Sequence, residues 1–212
     1  VPNVGRMGLA YFADDAGRIV TEMSVARLSE DMLLLITAAT AQAHDRDWLM
    51  QHLEAGLSLS DETEAWATQI LTGPKSREIL VGITEADLGK GWLSHQFSEI
   101  AGRQVWLARV SFAGELGWEI HSKIADTTAV WDAVMAAGGP LGLKPFGMFA
   151  LNSLRIEKGY RAWKGDLSTD YTILQGGLER FVDWTKPAFR GRAAIAAETQ
   201  AGVAKSLCTL VT

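Results

Sequence analysis

The stretch that decides the fold is FAGELGWEI, at residues 112–120. Gly114 and Gly117 punctuate its first part, which predicts a turn, and residues 118–121 predict a short strand that follows this turn. Because successive side chains of a strand point to opposite faces, Trp118 and Ile120 are expected on a buried face and Glu119 on the other. The sequence therefore predicts a carboxylate held at a fixed position on a sheet.

Outward from this stretch, several further segments predict strands. Residues 18–28 and 32–36 are rich in Ile, Val, Leu and Met and predict a hairpin around the polar triplet 29–31. Residues 66–71 and 104–111 predict two more strands, and 206–212 alternate like a further strand. That last stretch is interpreted either as a natural C-terminal edge strand or as a segment cut from a longer chain.

Apolar residues at helical spacing predict helices between these strands. One helix is expected over 41–53 with Asp45 on its polar face, and another runs to Leu80 with Pro74 in its first turn. A third follows a cap at Asp126 and stops at Gly138, and a fourth runs from Pro145 to Gly159. Strands and helices alternate without a strict βαβ rhythm, which predicts a mixed α+β fold.

Composition bounds the classes of function. The 212 residues are 48% hydrophobic and 21% charged, with a formal net charge of −5 and one cysteine. The acidic balance, with a pI near 5.4, makes nucleic acid and anionic membranes poor partners. A single cysteine excludes an internal disulfide framework and a cysteine-rich metal site. No metal or membrane partner is expected.

Common catalytic motifs are absent from the sequence. No G-x-G-x-x-G follows a predicted strand, and neither H-E-x-x-H nor G-x-S-x-G occurs. His52, His95 and His121 are scattered, which favours solvated or capping roles. Arg155 and Glu157 stand two apart on a predicted helix, so they are expected to be surface charges.

Two glutamates stand within apolar strand patterns. Glu22 lies inside the predicted strand 18–28, and Glu119 lies between Trp118 and Ile120. A carboxylate fixed on a strand accepts two parallel N–H bonds, such as an amino-pyrimidine edge offers. From the residues alone, however, both glutamates are expected to be solvated, because strands routinely alternate apolar and charged side chains.

An ordered set of segments resembles one family over nearly the whole chain. The set begins with DDAGRIVTE and LLLIT and continues with FAGELGWEI, FGMFALNSLRIEKG, YRAW, GGLERF and KPAFRGR. Together they resemble the folate-binding domain of the dimethylglycine and sarcosine dehydrogenases, which is related to the glycine-cleavage T-protein. This resemblance implies a three-lobed aminomethyltransferase fold, incomplete here at both ends. Residues 1–200 would form the folate-binding domain, and 201–212 would begin a C-terminal barrel lobe.

The resemblance also implies an activity and its partners. Tetrahydrofolate would be the cofactor, and FAD would belong to an upstream flavin domain that oxidises an N-methyl amine. The folate domain would capture the resulting iminium or formaldehyde as 5,10-methylenetetrahydrofolate, in a bacterial cytoplasm or a mitochondrial matrix. Alternatives are a non-catalytic structural module of a flavoprotein, a T-protein-like aminomethyltransferase and a folate-dependent demethylase.

Specific residues carry over by position. Glu119 matches the glutamate that holds the pterin ring, and Glu22 matches the acidic catalytic position near the reacting nitrogens. The other expected cofactor-binding positions flank these two or stand where the family has aromatic residues: Met23, Ser24, Phe112, Ile120, His121 and Arg180. By this resemblance Phe112 replaces a tyrosine, Arg180 stands where the dimethylglycine enzyme has a tyrosine, and Leu151 sides with the dehydrogenases against the T-protein.

Overall fold

The computed structural model describes residues 1–210 as a mixture of strands and helices, which confirms the predicted α+β class. Five short 3-10 helices accompany the regular elements. The strands are β1 (Met7–Ala13), β2 (Ile19–Arg27), β3 (Leu33–Ile36), β4 (Trp66–Thr72), β5 (His95–Ile100), β6 (Arg103–Ala108) and β7 (Gly117–Lys123). The helices are α1 (Gln42–Gln51), α2 (Ser76–Val81), α3 (Thr127–Gly138), α4 (Met148–Glu157) and α5 (Arg192–Ala201).

The chain divides into two compact units. The first unit comprises Val1–Met7, Ala26–Leu33 and Met50–Tyr160, and the second comprises Gly8–Val25, Leu34–Leu49 and the described part of Arg161–Thr212. The first contains an antiparallel sheet in the order β4-β7-β6-β5, and a second sheet has the order β1-β2-β3. The predicted hairpin is confirmed: β2 and β3 are neighbours in the second sheet, and Leu28 N donates to Met32 O across the turn at 2.9 Å.

The core of the first unit lies between its sheet and the helices α2 and α3. Trp118 and Ile120 are 2% and 1% exposed there, beside Val130 and Val134 of α3. Complete burial of side chains of this size contributes about 1.5–3 kcal/mol each. The alternation predicted for residues 118–121 is therefore confirmed, and Glu119 lies on the face opposite this core.

The turn before β7 requires its glycines. Gly114 has a φ of +78°, and a Cβ at Gly117 would come within 2.8 Å of the carbonyl oxygen of Leu71 on the paired strand. The Ser76 hydroxyl donates to Leu116 O at 3.0 Å, and Gly73 N donates to the same oxygen at 2.7 Å. Two donors from the segment after β4 thus hold the backbone oxygen of Leu116, immediately before β7 begins.

Several details differ from the sequence-based expectations. β1 and β5 were not expected: β1 contains three small residues, Gly8, Ala10 and Ala13, which weaken its apolar pattern, and β5 is a largely polar edge strand. Asp126 begins α3 without a side-chain cap bond and instead lies 3.5 Å from the guanidinium of Arg103. Residues 206–210 form no strand, whereas Val211 and Thr212 lie outside the described residues.

Two charged residues are buried where exposure was expected. Asp45, expected on the polar face of α1, is 1% exposed, and in this buried position it accepts a hydrogen bond from the Thr37 hydroxyl and contacts His44 Nδ1 at 2.9 Å. Arg155 is 6% exposed, and its guanidinium donates to Asn152 Oδ1 and to the backbone oxygen of Tyr160 at the end of α4. A buried charge is tolerated when its donors are satisfied in this way.

Candidate functional site

Glu119 stands on a central strand of the four-stranded sheet. Its direct cross-strand neighbours are Ile70 of β4 and Ala108 of β6, so one neighbour contributes only a methyl group beside the carboxylate. The Glu119 side chain is 20% exposed. The expectation that this glutamate is fully solvated is therefore wrong. It occupies a partly buried position on a strand hydrogen-bonded on both sides.

His121, two residues further along β7, lies on the same face and contacts this carboxylate. The distance from His121 Nε2 to Glu119 Oε2 is 3.2 Å, and His121 Nδ1 lies 2.9 Å from the hydroxyl of Thr68 on β4. His121 is only 6% exposed, so the solvated role expected for it is wrong as well. The contact uses Oε2, and within residues 1–210 no hydrogen bond to Oε1 occurs.

A buried tryptophan supports this histidine from the next strand. The ring of Trp106, on β6, lies 4.6 Å from the ring of His121, and its Nε1 donates to His95 Nδ1 at 3.0 Å. Since Nδ1 of His95 accepts that bond, its hydrogen resides on Nε2 and is donated to the backbone oxygen of Arg27 at 3.0 Å. Burial lowers the pKa of His95, which keeps the ring neutral.

The other predicted positions of the first unit differ in where they lie. Phe112 is partly buried and stacks on Tyr160, with ring centroids 6.3 Å apart and planes 17° apart. Ile120 lies in the apolar core, on the face of β7 opposite Glu119. Its predicted contact with a ligand stays a prediction, and its observed contacts are packing contacts.

Glu22, in the second unit, lies on β2 in a different environment. The Tyr11 hydroxyl and the backbone N–H of Trp163 both act on its carboxyl group and favour the ionised form. Burial nevertheless raises the pKa of Glu22, with the neighbouring charge of Asp166 acting in the same direction. Glu22 is thus a partly buried carboxyl group that holds its proton to higher pH than a solvated one, which corrects the solvated expectation.

Tyr11 is the functional candidate that the sequence did not reveal. Burial and the carboxylate of Glu22 raise the pKa of its phenol well above the usual value, so Tyr11 stays a donor. Its ring lies 4.7 Å from that of Phe181, and the guanidinium of Arg180 lies 4.7 Å from the Phe181 ring. Arg180 and Arg161 both act electrostatically on the phenol in the opposite direction to Glu22.

The structure brings some predicted residues together and separates others. Glu119 and His121 are in contact, whereas Arg180 and Glu22 both act on Tyr11. Ser24 shares the face of Glu22 on β2, but Met23 points the other way and is 2% exposed. The ligand contact predicted for Met23 stays a prediction, and the side chain itself is a core residue.

Neither a membrane-spanning helix nor a metal-binding cluster of side chains occurs among residues 1–210. None of the helices within residues 1–210 combines the length and the apolar run that a bilayer crossing needs. Over the same residues, no group of three or more His, Cys, Asp and Glu side chains is arranged to hold a metal ion.

Comparisons with known proteins give a consistent result. The chain matches the family model of the GCVT N-terminal domain over residues 2–186. It is 32% identical to mitochondrial dimethylglycine dehydrogenase of Homo sapiens over 217 residues, covering 99% of this chain and 25% of that protein. It is 39% identical to mitochondrial sarcosine dehydrogenase of Mus musculus over 166 residues, covering 76% of this chain and 18% of that protein.

A solved structure supports the same fold. The crystal structure of glycine cleavage system aminomethyltransferase T from Bartonella henselae superposes with a TM-score of 0.82 at 21% identity. The match covers 94% of this chain and 54% of that one. The chain therefore spans about a quarter of the length of the dimethylglycine dehydrogenases and about half of that aminomethyltransferase.

Proposed function

Because this chain belongs to the GCVT N-terminal domain family, we propose that it binds a reduced folate through Glu119 and captures a one-carbon unit on it. The observation that carries the proposal is the placement of Glu119. It is a partly buried carboxylate on a central strand, with one oxygen held by His121 and the other without a protein donor in residues 1–210.

The chemistry of Glu119 fits the flat head of a folate. The pterin ring presents an amino group and a ring N–H side by side, and a carboxylate accepts both in its own plane. Oε1 of Glu119 offers all its lone pairs, and Oε2 retains one beside the His121 contact. Because the Glu119 carboxylate is already held at a fixed position, folate binding loses little free energy to ordering that side chain.

Glu22 and Tyr11 fit a role in proton transfer. Bound tetrahydrofolate would supply two amine nitrogens, and a formaldehyde-level carbon bridges them with loss of water or of the carrier amine. The amines lose protons in this exchange, and a carboxyl group with a raised pKa is better suited to accept and return one than a solvated carboxylate is. In its ionised form, stabilised by the Tyr11 hydroxyl, Glu22 would also attract a cationic iminium.

The origin of the carbon follows from the relatives and is part of the proposal. The matched dehydrogenases are named for dimethylglycine and sarcosine, which are N-methyl amines. We infer that this chain serves an amine oxidation of that class, in which a flavin segment of a longer polypeptide produces the iminium. Its place would be the mitochondrial matrix in a eukaryote or the cytoplasm in a bacterium.

Isothermal titration with tetrahydrofolate under anaerobic conditions tests the binding. Glu119→Ala is expected to cost about 2–3 kcal/mol of binding free energy, roughly a 30- to 150-fold rise in Kd, because it removes a charge-assisted contact. Glu99→Ala is the matched control, since Glu99 is an exposed glutamate of β5 in the same sheet. Equal affinity of the wild type and Glu119→Ala would refute the assignment of Glu119.

Trapping of formaldehyde tests the capture step. When formaldehyde is mixed with tetrahydrofolate, the chain is expected to accelerate the loss of free formaldehyde over the uncatalysed rate. Glu22→Gln should bind tetrahydrofolate nearly as the wild type does but lose most of this acceleration. A chain that binds tetrahydrofolate without accelerating the loss would be a binding module, and one that does not bind it would be a structural module.

A further inference from the structure

We propose that His121, held in place by Thr68, is the positioning residue of Glu119 and fixes its carboxylate for the ligand. The inference rests on the folate function proposed above. To that function the inference adds the group that orients the Glu119 carboxylate. It predicts that removing the Thr68 hydroxyl weakens ligand binding, although Thr68 needs no contact with the ligand.

The first observation is a row of side chains across three adjacent strands. Thr68 of β4 is paired with His121 of β7, and His121 is in turn paired with Trp106 of β6. Directly paired residues of an antiparallel sheet point to the same face, so these three side chains adjoin. The His121 ring is therefore confined between a hydroxyl group on one side and an indole ring 4.6 Å away on the other.

The second observation is the direction of the hydrogen bonds. An ionised Glu119 can only accept, so the contact at 3.2 Å requires a hydrogen on His121 Nε2. In the neutral ring Nδ1 is then an acceptor, and the Thr68 hydroxyl at 2.9 Å is the donor that satisfies it. The Thr68 hydroxyl thus holds the ring through Nδ1, while Nε2 faces the carboxylate.

The third observation is burial. His121 is 6% exposed, which leaves little of its surface for direct contact with a ligand. Glu119 keeps 20% of its side chain exposed and is the group a ligand would reach. His121 accordingly acts through Glu119, holding one side-chain rotamer whose ordering would otherwise oppose binding.

Titration of tetrahydrofolate into Thr68 variants is the main test. Thr68→Val keeps the shape but removes the hydroxyl donor, and it is expected to raise Kd about five- to ten-fold. Thr68→Ser restores the hydroxyl and is expected to return Kd to within about two-fold of the wild type. Thr84→Val is the matched control, because Thr84 bonds to Ser98 in the same unit and outside the row.

A double-mutant comparison separates positioning from a merely structural effect. In a Glu119→Gln background, Thr68→Val is expected to change Kd less than about two-fold, because the carboxylate it helps to orient is gone. An undiminished effect in that background would mean that Thr68 acts through the stability of the sheet, and it would overturn the inference. So would a Thr68→Val variant that binds as tightly as the wild type.

Nitrogen NMR of the imidazole tests the contact without any ligand. His121 is expected to carry its hydrogen on Nε2, with Nδ1 unprotonated, and Glu119→Gln should shift these resonances whereas Thr84→Val should not. A hydrogen found on Nδ1 alone would overturn the inference even if folate binds. If the wild type does not bind tetrahydrofolate, the proposed function fails, and the positioning role falls with it.

Discussion

Glu119 in the first unit and Glu22 in the second are the same residue type in the same local setting, the interior of an apolar strand, yet their surroundings differ. Glu119 meets the imidazole of His121, which belongs to a row of side chains across the sheet. Glu22 lies beside a phenol and a backbone N–H at a partly buried position, where burial raises its pKa. The partners of the two carboxylates, rather than their sequence patterns, distinguish them.

The difference fits the different tasks proposed for the two groups. A carboxylate whose orientation is fixed by a side chain on its own strand suits recognition of a ligand with a fixed pattern of donors. A carboxyl group whose pKa is raised by burial, with a phenol that supports its charged form, suits proton exchange. Substitutions that remove one arrangement while leaving the other intact test whether the two are independent.

The largest expected effect comes from replacing Trp106, whose ring packs against that of His121. Trp106→Ala should lower the free energy of unfolding by about 3–5 kcal/mol, because Trp106 is 2% exposed and contacts both His95 and His121. Urea unfolding measures the loss, and Trp131→Ala on α3 is the control, with Trp131 43% exposed. A loss no larger than that of the control would show that the row does not support the sheet.

An intermediate effect is expected when the phenol beside Glu22 loses its hydroxyl. Tyr11→Phe should lower the free energy of unfolding by about 1–2 kcal/mol near neutral pH, because a hydrogen bond to a charged group is lost. It should also raise the pKa of Glu22 further, which a carboxyl-carbon NMR titration measures. Tyr171→Phe, at an exposed position of the same unit, should do neither. An unchanged titration of Glu22 would contradict the contact.

The smallest effect is a dependence of stability on pH. The folded-state pKa of Glu22 is raised above its ordinary value of 4.5, so between the unfolded-state and folded-state values the folded chain binds more protons than the unfolded chain. The contribution of Glu22 to the free energy of unfolding therefore falls as pH rises through that window, by at most about 1.4 kcal/mol per pH unit.

Glu22→Gln removes this contribution and supplies its measurement. Relative to the wild type, the free energy of unfolding of Glu22→Gln should increase as pH rises through the window, as determined by urea unfolding at a series of pH values. Tyr11→Phe should move the window of the wild-type glutamate upward. A difference between Glu22→Gln and the wild type that is constant with pH would mean that Glu22 has an ordinary pKa.

The sequence predicted the elements that carry a strong local signal. The glycine turn and the alternation around Trp118 and Ile120 placed β7 and the face of Glu119 correctly, because side-chain direction in a strand depends only on position. The partners of Glu119 were not predicted. Thr68 and Trp106 lay in predicted strands, but their pairing with His121 depends on the strand order β4-β7-β6, which local patterns do not contain.

Other misses have the same origin. Tyr11 was overlooked because β1 has a weak pattern, and its contact with Glu22 requires β1 and β2 to be neighbours in one sheet. Arg155 was expected on the surface because charged residues usually are, and only the bonds to Asn152 and to the chain after α4 make its burial tolerable.

By itself the sequence determined the family, the α+β class and the positions of most strands, and it predicted two candidate glutamates, since these follow from local pattern and from motifs in a fixed order. Tertiary structure alone decided what each carboxylate contacts and how deeply it is buried. Those properties arise from residues distant in sequence that meet only when strands pair, and they set the orientation of Glu119 and the pKa of Glu22.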